Sequence, residues 1–203
     1  MLKKVFELMF DLPSDNRWGI PTIKREDFKV DEVIGFNSAK SSVLDYDKTV
    51  HFFLSDHEFE AVWSFPDRYL PKLVKFNGCF SPDFSIFRDH PLSVQLFNVF
   101  RSRFIGWHWQ QQGIRVIPAV GWSTEESYEF CFEGIEKKSQ VALSTRGVAR
   151  DTIAMKFFEK GYSKMLERLE PKVINIYGAG ERLKNKFDFG SKAIWLPYDQ
   201  LHY

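Results

Sequence analysis

The chain is poor in cysteine and lacks the common signatures of nucleotide hydrolysis and metal chemistry. Its 203 residues include two cysteines, Cys79 and Cys131, in apolar surroundings and without CxxC spacing. That excludes a disulfide framework and a cysteine-based zinc site, and predicts two buried free thiols in a reducing compartment. No glycine-rich phosphate loop ending in Gly-Lys-Ser/Thr is present, which argues against a P-loop ATPase. A GxSxG elbow is missing too, so a serine hydrolase of that type is not expected. The histidines at 51, 57, 90, 108 and 202 show no HExxH or other ligand spacing, and no metal site is predicted. Tyr177-Gly178-Ala179-Gly180 lacks the third glycine and the following helix of a dinucleotide loop. No apolar run approaches the ~20 residues that span a bilayer. Neither sign of charge dominates: 28 basic and 27 acidic residues give a formal net charge of +1. There is thus no global electrostatic footprint for nucleic acid, and any such contact must come from a local patch. The basic start Met1-Leu2-Lys3-Lys4 is followed by Glu7 and Asp11 without a small-residue cleavage site. No targeting segment is predicted, and a soluble cytoplasmic protein with no membrane partner is expected.

Aromatic residues, by contrast, are abundant. Twenty-one phenylalanines and six tryptophans bring the aromatic share to 17%, within 44% apolar residues. This load excludes a disordered chain, and 203 residues fit one domain, with 1–32 as an N-terminal extension and 181–203 as a C-terminal tail packed on it.

Short apolar runs begin near 33, 49, 79, 115, 140 and 173, mostly with helical patterns between them. A repeating βα pattern of this kind gives an α/β domain with a parallel sheet. About six βα units are predicted, either as an incomplete, barrel-like array or as an open doubly wound sheet, with 116–120 a central strand. Residues 193–197 read as an edge strand or a packed arm. Asp151 should cap a long helix that Pro171 ends, and Pro66 and Pro71 should break the helical stretch after Asp56 into short pieces. Ser123 with Glu126 fits a capping box for a short helix to about residue 132. Phe52, Leu54, Phe100, Ile117, Leu143, Phe158 and Ile176 are the expected core.

The stretch 78–122 carries the densest chemistry, reading as strand, helix, strand. At about 100° per residue, Leu96, Phe97, Phe100, Phe104 and Trp107 share one arc of the helix, with Arg103 on one margin and Arg101 on the other. A semi-buried arginine needs an anion or several carbonyls. Asp83, ending the preceding strand, is expected within reach of Arg101 or Arg103. Either this is a structural ion pair, or the arginines bind a phosphate or carboxylate.

Ligands of parallel α/β sheets bind at the carboxyl edge of the strands. That edge should gather Asn37, Asp56, Asp83 with Ser85, Trp122, Ser144, Thr145, Arg146 and Tyr177. Each has a plain alternative: Asp56 as a helix cap, Asp83 as a turn former, Trp122 as core.

The motifs come in a familiar order. They are Phe53-Leu54-Ser55-Asp56 with Phe59-Glu60 and Trp63, then Pro82-Asp83-Phe84-Ser85. Next are Asn98, Arg101, Arg103 and Gly106 with Trp109-Gln110, and Val116-Ile117-Pro118 with Trp122. Ser144-Thr145-x-Gly147 and Tyr177-Gly178 close the series. From about 37 to 178 the chain resembles a domain-of-unknown-function family encoded largely by phages, prophages and other mobile elements. The resemblance implies a genomic context and transfers no catalytic role or cofactor.

Two functional readings follow. In one, the protein binds or acts on a nucleotide, nucleoside or nucleic-acid base. Asp56 or Asp83 is then general base or nucleophile, and Trp122 stacks the base. Asn98, Arg101, Arg103, Ser144, Thr145 and Arg146 complete the ligand site. In the other it is a non-catalytic effector of a mobile element that contacts a host protein or nucleic acid through aromatics such as Trp18 or Trp195. A metal-dependent nuclease using Asp56 and Asp83 lacks a clear third ligand.

Overall fold

A computed structural model describes residues 7–9, 12–41, 45–148, 151–178 and 183–197. Ala179 and Gly180 of the glycine turn, the first six residues and 198–203 lie outside the described residues. The protein is α/β, with two parallel sheets. The first holds β1 (Val33–Gly35), β2 (Thr49–His51), β3 (Gly78–Phe80) and β4 (Val116–Ile117), in that order. The second holds β5 (Gln140–Ser144), β6 (Val173–Tyr177) and β7 (Ala193–Trp195). All pairings are parallel, and strand order follows chain order in both sheets with no reversal of the kind a doubly wound sheet contains. The sheets meet beyond the end of β4. Ala119 pairs with Ala142 through a parallel bridge, with Val120 N donating to Ala142 O at 2.8 Å and Ala142 N to Pro118 O at 2.9 Å. Residues 193–195 are thus a seventh strand at the edge, paired with β6.

Continuous apolar runs form these strands because both faces are covered. In and just after β2, Val50 and Phe52 enter one cluster with Phe59, Phe104 and Trp109, while Phe53 turns to another with Phe80 and Tyr177. The same alternation recurs in β5 and β6. Val141, Leu143, Ile174 and Ile176 pack toward the second sheet's helices, and Ala142 and Tyr177 turn the other way. That third cluster draws Phe80 and Ile117 from the first sheet and Ala142 and Tyr177 from the second, and adds Phe28, Val30 and Leu196. Of the expected core, Leu54 and Phe100 are only half-buried; the other five are buried.

Helices are short on the first two connections of the first sheet. They comprise α1 (Phe36–Ala39), α2 (Asp56–Phe59), α3 (Ala61–Ser64) and α4 (Leu70–Leu73). Helix α3 ends before Pro66, and Pro71 sits in the first turn of α4, where a missing N–H costs nothing. The long helices are α5 (Leu92–Gln111) and α6 (Thr152–Leu169). Asp151 caps α6 by accepting from Ile153 N at 2.8 Å and Ala154 N at 3.2 Å. Glu170, in the left-handed region at φ 48°, ends it before Pro171.

Two local expectations change. After Ser123 there is a 3-10 turn over Glu125–Glu129, not a helix to 132. Phe130, Cys131 and Phe132 are all buried in succession, which a helix with one apolar face cannot satisfy. The serine that organises the turn is Ser127, which accepts from Ser123 N and donates to Thr124 O.

The second change is in α5. Its apolar arc does not face the core as a unit: Phe97 is 47% exposed, and Leu96, Phe100 and Trp107 are half-buried. Its polar residues Gln95, Asn98, Arg101, Ser102, Arg103 and His108 are buried alongside Val99, Phe104, Ile105 and Trp109.

Candidate functional site

A cavity of about 960 Å³ opens at the carboxyl edge of β2 to β5. Its walls are Phe53 to His57 after β2, Asp83 to Asp89 after β3, Val120 to Ser123 after β4, and Leu143, Ser144 and Arg146 to Val148 at β5. The start of α6 closes one side with Asp151, Ala154, Phe157 and Phe158. Of the residues singled out from sequence, Asp56, Asp83, Trp122, Ser144 and Arg146 line this cavity. Asn98, Arg101, Arg103 and Thr145 do not.

Asp56 does not cap its helix. Ser55 is the cap, in a reciprocal box with Glu58, which leaves the Asp56 carboxylate free to hold the neighbouring loop. Ser85 Oγ donates to Asp56 Oδ1 at 2.7 Å, and Ser85 N donates to both oxygens at 3.2 Å. Behind Ser85 lies a chain of polar contacts. Asn98 Nδ2 donates to Ser85 O at 2.6 Å, Arg101 Nη2 to Asn98 Oδ1 at 2.7 Å, and Arg101 Nη1 to Glu60 Oε1 at 2.7 Å. The Arg101 guanidinium also lies 3.8 Å over the Phe84 ring. Asn98 and Arg101 therefore act beneath the cavity, fixing the loop that carries Asp83 and Ser85.

Arg103 is spent on main chain. It donates to Ala119 O (2.8 Å), Cys131 O (3.0 Å) and Glu133 O (3.1 Å), and to Ser102 Oγ. This ties the end of β4 to the 131–134 turn, and burial lowers its pKa to about 10. The expected ion pair of Asp83 with Arg101 or Arg103 does not form: the terminal nitrogens of Arg101 are taken by Glu60 and Asn98, and Arg103 is taken by main-chain carbonyls and Ser102. Arg103 reaches Asp83 only through its field.

Asp83 is left facing the cavity. Its Oδ1 lies 3.7 Å from where a Cβ on Gly121 would stand, and among the described residues no donor hydrogen-bonds to it. Burial, reinforced by the negative charge of Asp56 and only partly offset by Arg103, pushes this carboxyl up to about 7. A carboxyl that exchanges its proton near neutrality can serve as acid or base.

Trp122, next to Gly121, is also in the lining. Its Nε1 donates to Phe157 O at 3.1 Å, and its ring packs on Phe158 at 5.5 Å. The indole lies so close over α6 that a Cβ at Gly161 would stand 2.1 Å from Nε1. Arg146, exposed at the end of β5, reaches across to donate to Phe53 O at 2.7 Å, while its N–H bonds Ser144 Oγ at 3.2 Å. Thr145 is buried and turned to Tyr177 O. Neither Trp18 nor Trp195 is a free surface contact. Trp18 is half-buried and bonds Glu129 O, and Trp195 packs on Phe189 at 5.1 Å.

Sequence reasoning missed Arg88 and did not place His57 in the site. Arg88 sits at the mouth and pairs with Asp151 at 3.2 Å. Its only signal was a charged pair, Arg88-Asp89, in the loop after a strand end. Asp151 is held below the usual carboxylate range, chiefly by the N–H groups of Ala154 and Ile153 and also by Arg88. Among the described residues no group of three or more His, Cys, Asp or Glu side chains is arranged to hold a metal ion.

Comparison with known proteins places this arrangement in a family. Two mycobacteriophage proteins, each called Gene 1 protein, are similar to it. The one from phage D29 is 34% identical over 176 residues, and the one from phage L5 is 34% identical over 178. Each alignment covers 86% of this chain; it spans 65% of the D29 protein's length and 77% of the L5 protein's. No solved structure matches. The family model described as a domain of unknown function, DUF4417, matches residues 12–194, which take in every strand but the last residue of β7 and the whole cavity, and the chain therefore belongs to this phage-encoded family.

Proposed function

We propose that the cavity binds a nucleotide, nucleoside or nucleic-acid base, and that Asp83 exchanges a proton with it. The observation that carries this reading is the unpaired Asp83 carboxyl, raised to about 7 on the wall of a roomy cavity. A partly buried polar group without a partner is the signature of a site awaiting one. Asp56, held by Ser85, supplies a second acceptor. Trp122, Phe157 and Phe158 supply an aromatic wall for a flat ring, and Arg146 a cation. In chemical terms, Asp83 gives a proton to, or takes one from, a ring nitrogen or exocyclic group, with Asp56 keeping the local potential negative.

Behind this reading stands an architectural inference: the two sheets, joined at Ala119 and Ala142, act as one incompletely closed, barrel-like array over 1–203. Sequential strand order and the cluster shared by both sheets support it. We propose the host cytoplasm as its compartment, which the two buried free thiols support. Contact with a host protein through Trp18 or Trp195 has less support, since both indoles are engaged within the fold.

The test is calorimetric titration with a panel of bases, nucleosides and nucleotides, on wild type and Asp83→Asn. Binding of at least one, weakened tenfold or more by Asp83→Asn and dependent on pH around 7, is the expected result. If no member of the panel binds, the reading fails.

A further inference from the structure

We infer that the ligand of this cavity is a 5′-phosphorylated nucleoside that enters base first, its phosphate held at the mouth by Arg146 and Arg88. The inference rests on the base-binding reading above and adds orientation and the phosphate.

The charged groups of the cavity differ in exposure. Its less exposed part carries Asp83, against Gly121 and without a hydrogen-bond partner among the described residues, and Asp56, both half-buried. Its mouth carries Arg88 and Arg146, both exposed. The remaining acids of the lining do not reverse this layout. Asp89 is 90% exposed in its side chain and faces solvent next to Arg88. Asp151 accepts from the two N–H groups that it caps, which offset part of its charge whether or not Arg88 stays paired with it.

Such a gradient selects a ligand with hydrogen-bond donors at one end and negative charge at the other. The donor edge of a nucleobase matches the half-buried carboxyl groups, because ring N–H and amino groups donate to carboxylate oxygens while a phosphate there would be repelled. A phosphate matches the mouth. Guanidinium groups bind its oxygens in pairs, and the Arg88–Asp151 contact it would disturb is an exposed pair of small energy. The N-terminus of α6 does not compete for the phosphate, since Asp151 already fills it. Between the two ends, Trp122 and Phe158 offer the apolar wall for the ring.

Isothermal titration of wild type, Arg146→Gln, Arg88→Gln and Asp83→Asn against adenosine, guanosine, cytidine, uridine and thymidine and their 5′-monophosphates tests this. For the base that binds, the monophosphate should bind at least tenfold tighter than its nucleoside. In Arg146→Gln that advantage should fall below threefold, and Arg88→Gln should show a smaller loss of the same kind. Asp83→Asn should weaken nucleoside and monophosphate alike. Raising salt should weaken the monophosphate and leave the nucleoside nearly untouched. A short single-stranded oligonucleotide of the same base tells a free nucleotide from one held in a strand, by whether it displaces the monophosphate. Equal affinity for nucleoside and monophosphate, or an advantage that survives both arginine changes, overturns the orientation while leaving base binding intact. No binding of any nucleoside or nucleotide overturns both.

Discussion

Replacing Asp83 by asparagine should stabilise the protein, and by more as pH rises. A carboxyl whose folded-state pKa is raised binds its proton more tightly in the folded protein than in the unfolded chain. Below the ordinary value of 3.8 both states are protonated and the group costs nothing. Between 3.8 and about 7 the unfolded chain has released the proton and the folded protein has not, so stability falls with each step in pH. Above about 7 the full cost is present. A displacement from 3.8 to about 7 corresponds to about 4 kcal/mol. Because Asp83 borders an open cavity and its side chain is half-buried, screening reduces this to about 2 to 3 kcal/mol. Asparagine keeps the shape and removes the charge. Urea midpoints of wild type and Asp83→Asn at pH 5, 6, 7 and 8 should therefore diverge, with the variant ahead at pH 8 by about that amount and the gap closing toward pH 5. A gap that does not change with pH, or a variant less stable than wild type at pH 8, would refute the reasoning.

Other outcomes follow from the packing. Arg103→Met strands the carbonyls of Ala119, Cys131 and Glu133 and should cost about 3 kcal/mol or more by chemical denaturation; Arg103→Lys should recover little, because one ammonium cannot reach three diverging acceptors. Gly161→Ala drives a methyl into the Trp122 indole and should destabilise by about 1 to 3 kcal/mol, with a change in tryptophan fluorescence that marks the cavity wall. Phe158→Ala should cost about 3 to 5 kcal/mol, and Phe100→Ala clearly less because that ring is only half-buried. Burial pushes both thiols up, Cys131 to about 12, so a disulfide-exchange reagent at pH 8 should label neither until the protein is denatured; prompt labelling of either would contradict the packing.

How much was legible in the sequence depended on what each residue faces. The strands were legible because Val50 to Phe53 or Val173 to Tyr177 meet apolar neighbours on both sides, and an uninterrupted run records that. The cap at Asp151 and the stop at Pro171 are local chemistry and needed no tertiary knowledge. Helix α5 was misread because its inner side lies against loop carbonyls and hydroxyls, such as Ser85 O, Ala119 O and Ser81 Oγ, as well as against the apolar cluster that takes Phe104, Ile105 and Trp109. Asn98, Arg101 and Arg103 are buried there because partners await them, while Phe97 stays out. Periodicity of apolar residues carries no trace of such an arrangement. The carboxyl-edge groups Asp56, Asp83, Trp122, Ser144 and Arg146 were legible from strand ends alone. Arg88 was not, since it stands in an aperiodic loop and reaches the cavity only by the path that loop takes.

Strand order has a consequence for how the molecule is made. Each strand from β2 to β4 pairs with the one synthesised just before it, and so do β6 and β7. A ribosome delivering the chain from its N-terminus can therefore extend a sheet strand by strand without waiting for a distant partner, which keeps loop closure inexpensive and unpaired edges brief. The cavity has no such early start. Its walls need Trp122, the end of β5 and the first turns of α6, so nearly four-fifths of the chain emerges before Asp83 acquires its surroundings. A nascent chain halted near residue 120 would hold most of the first sheet and none of the chemistry.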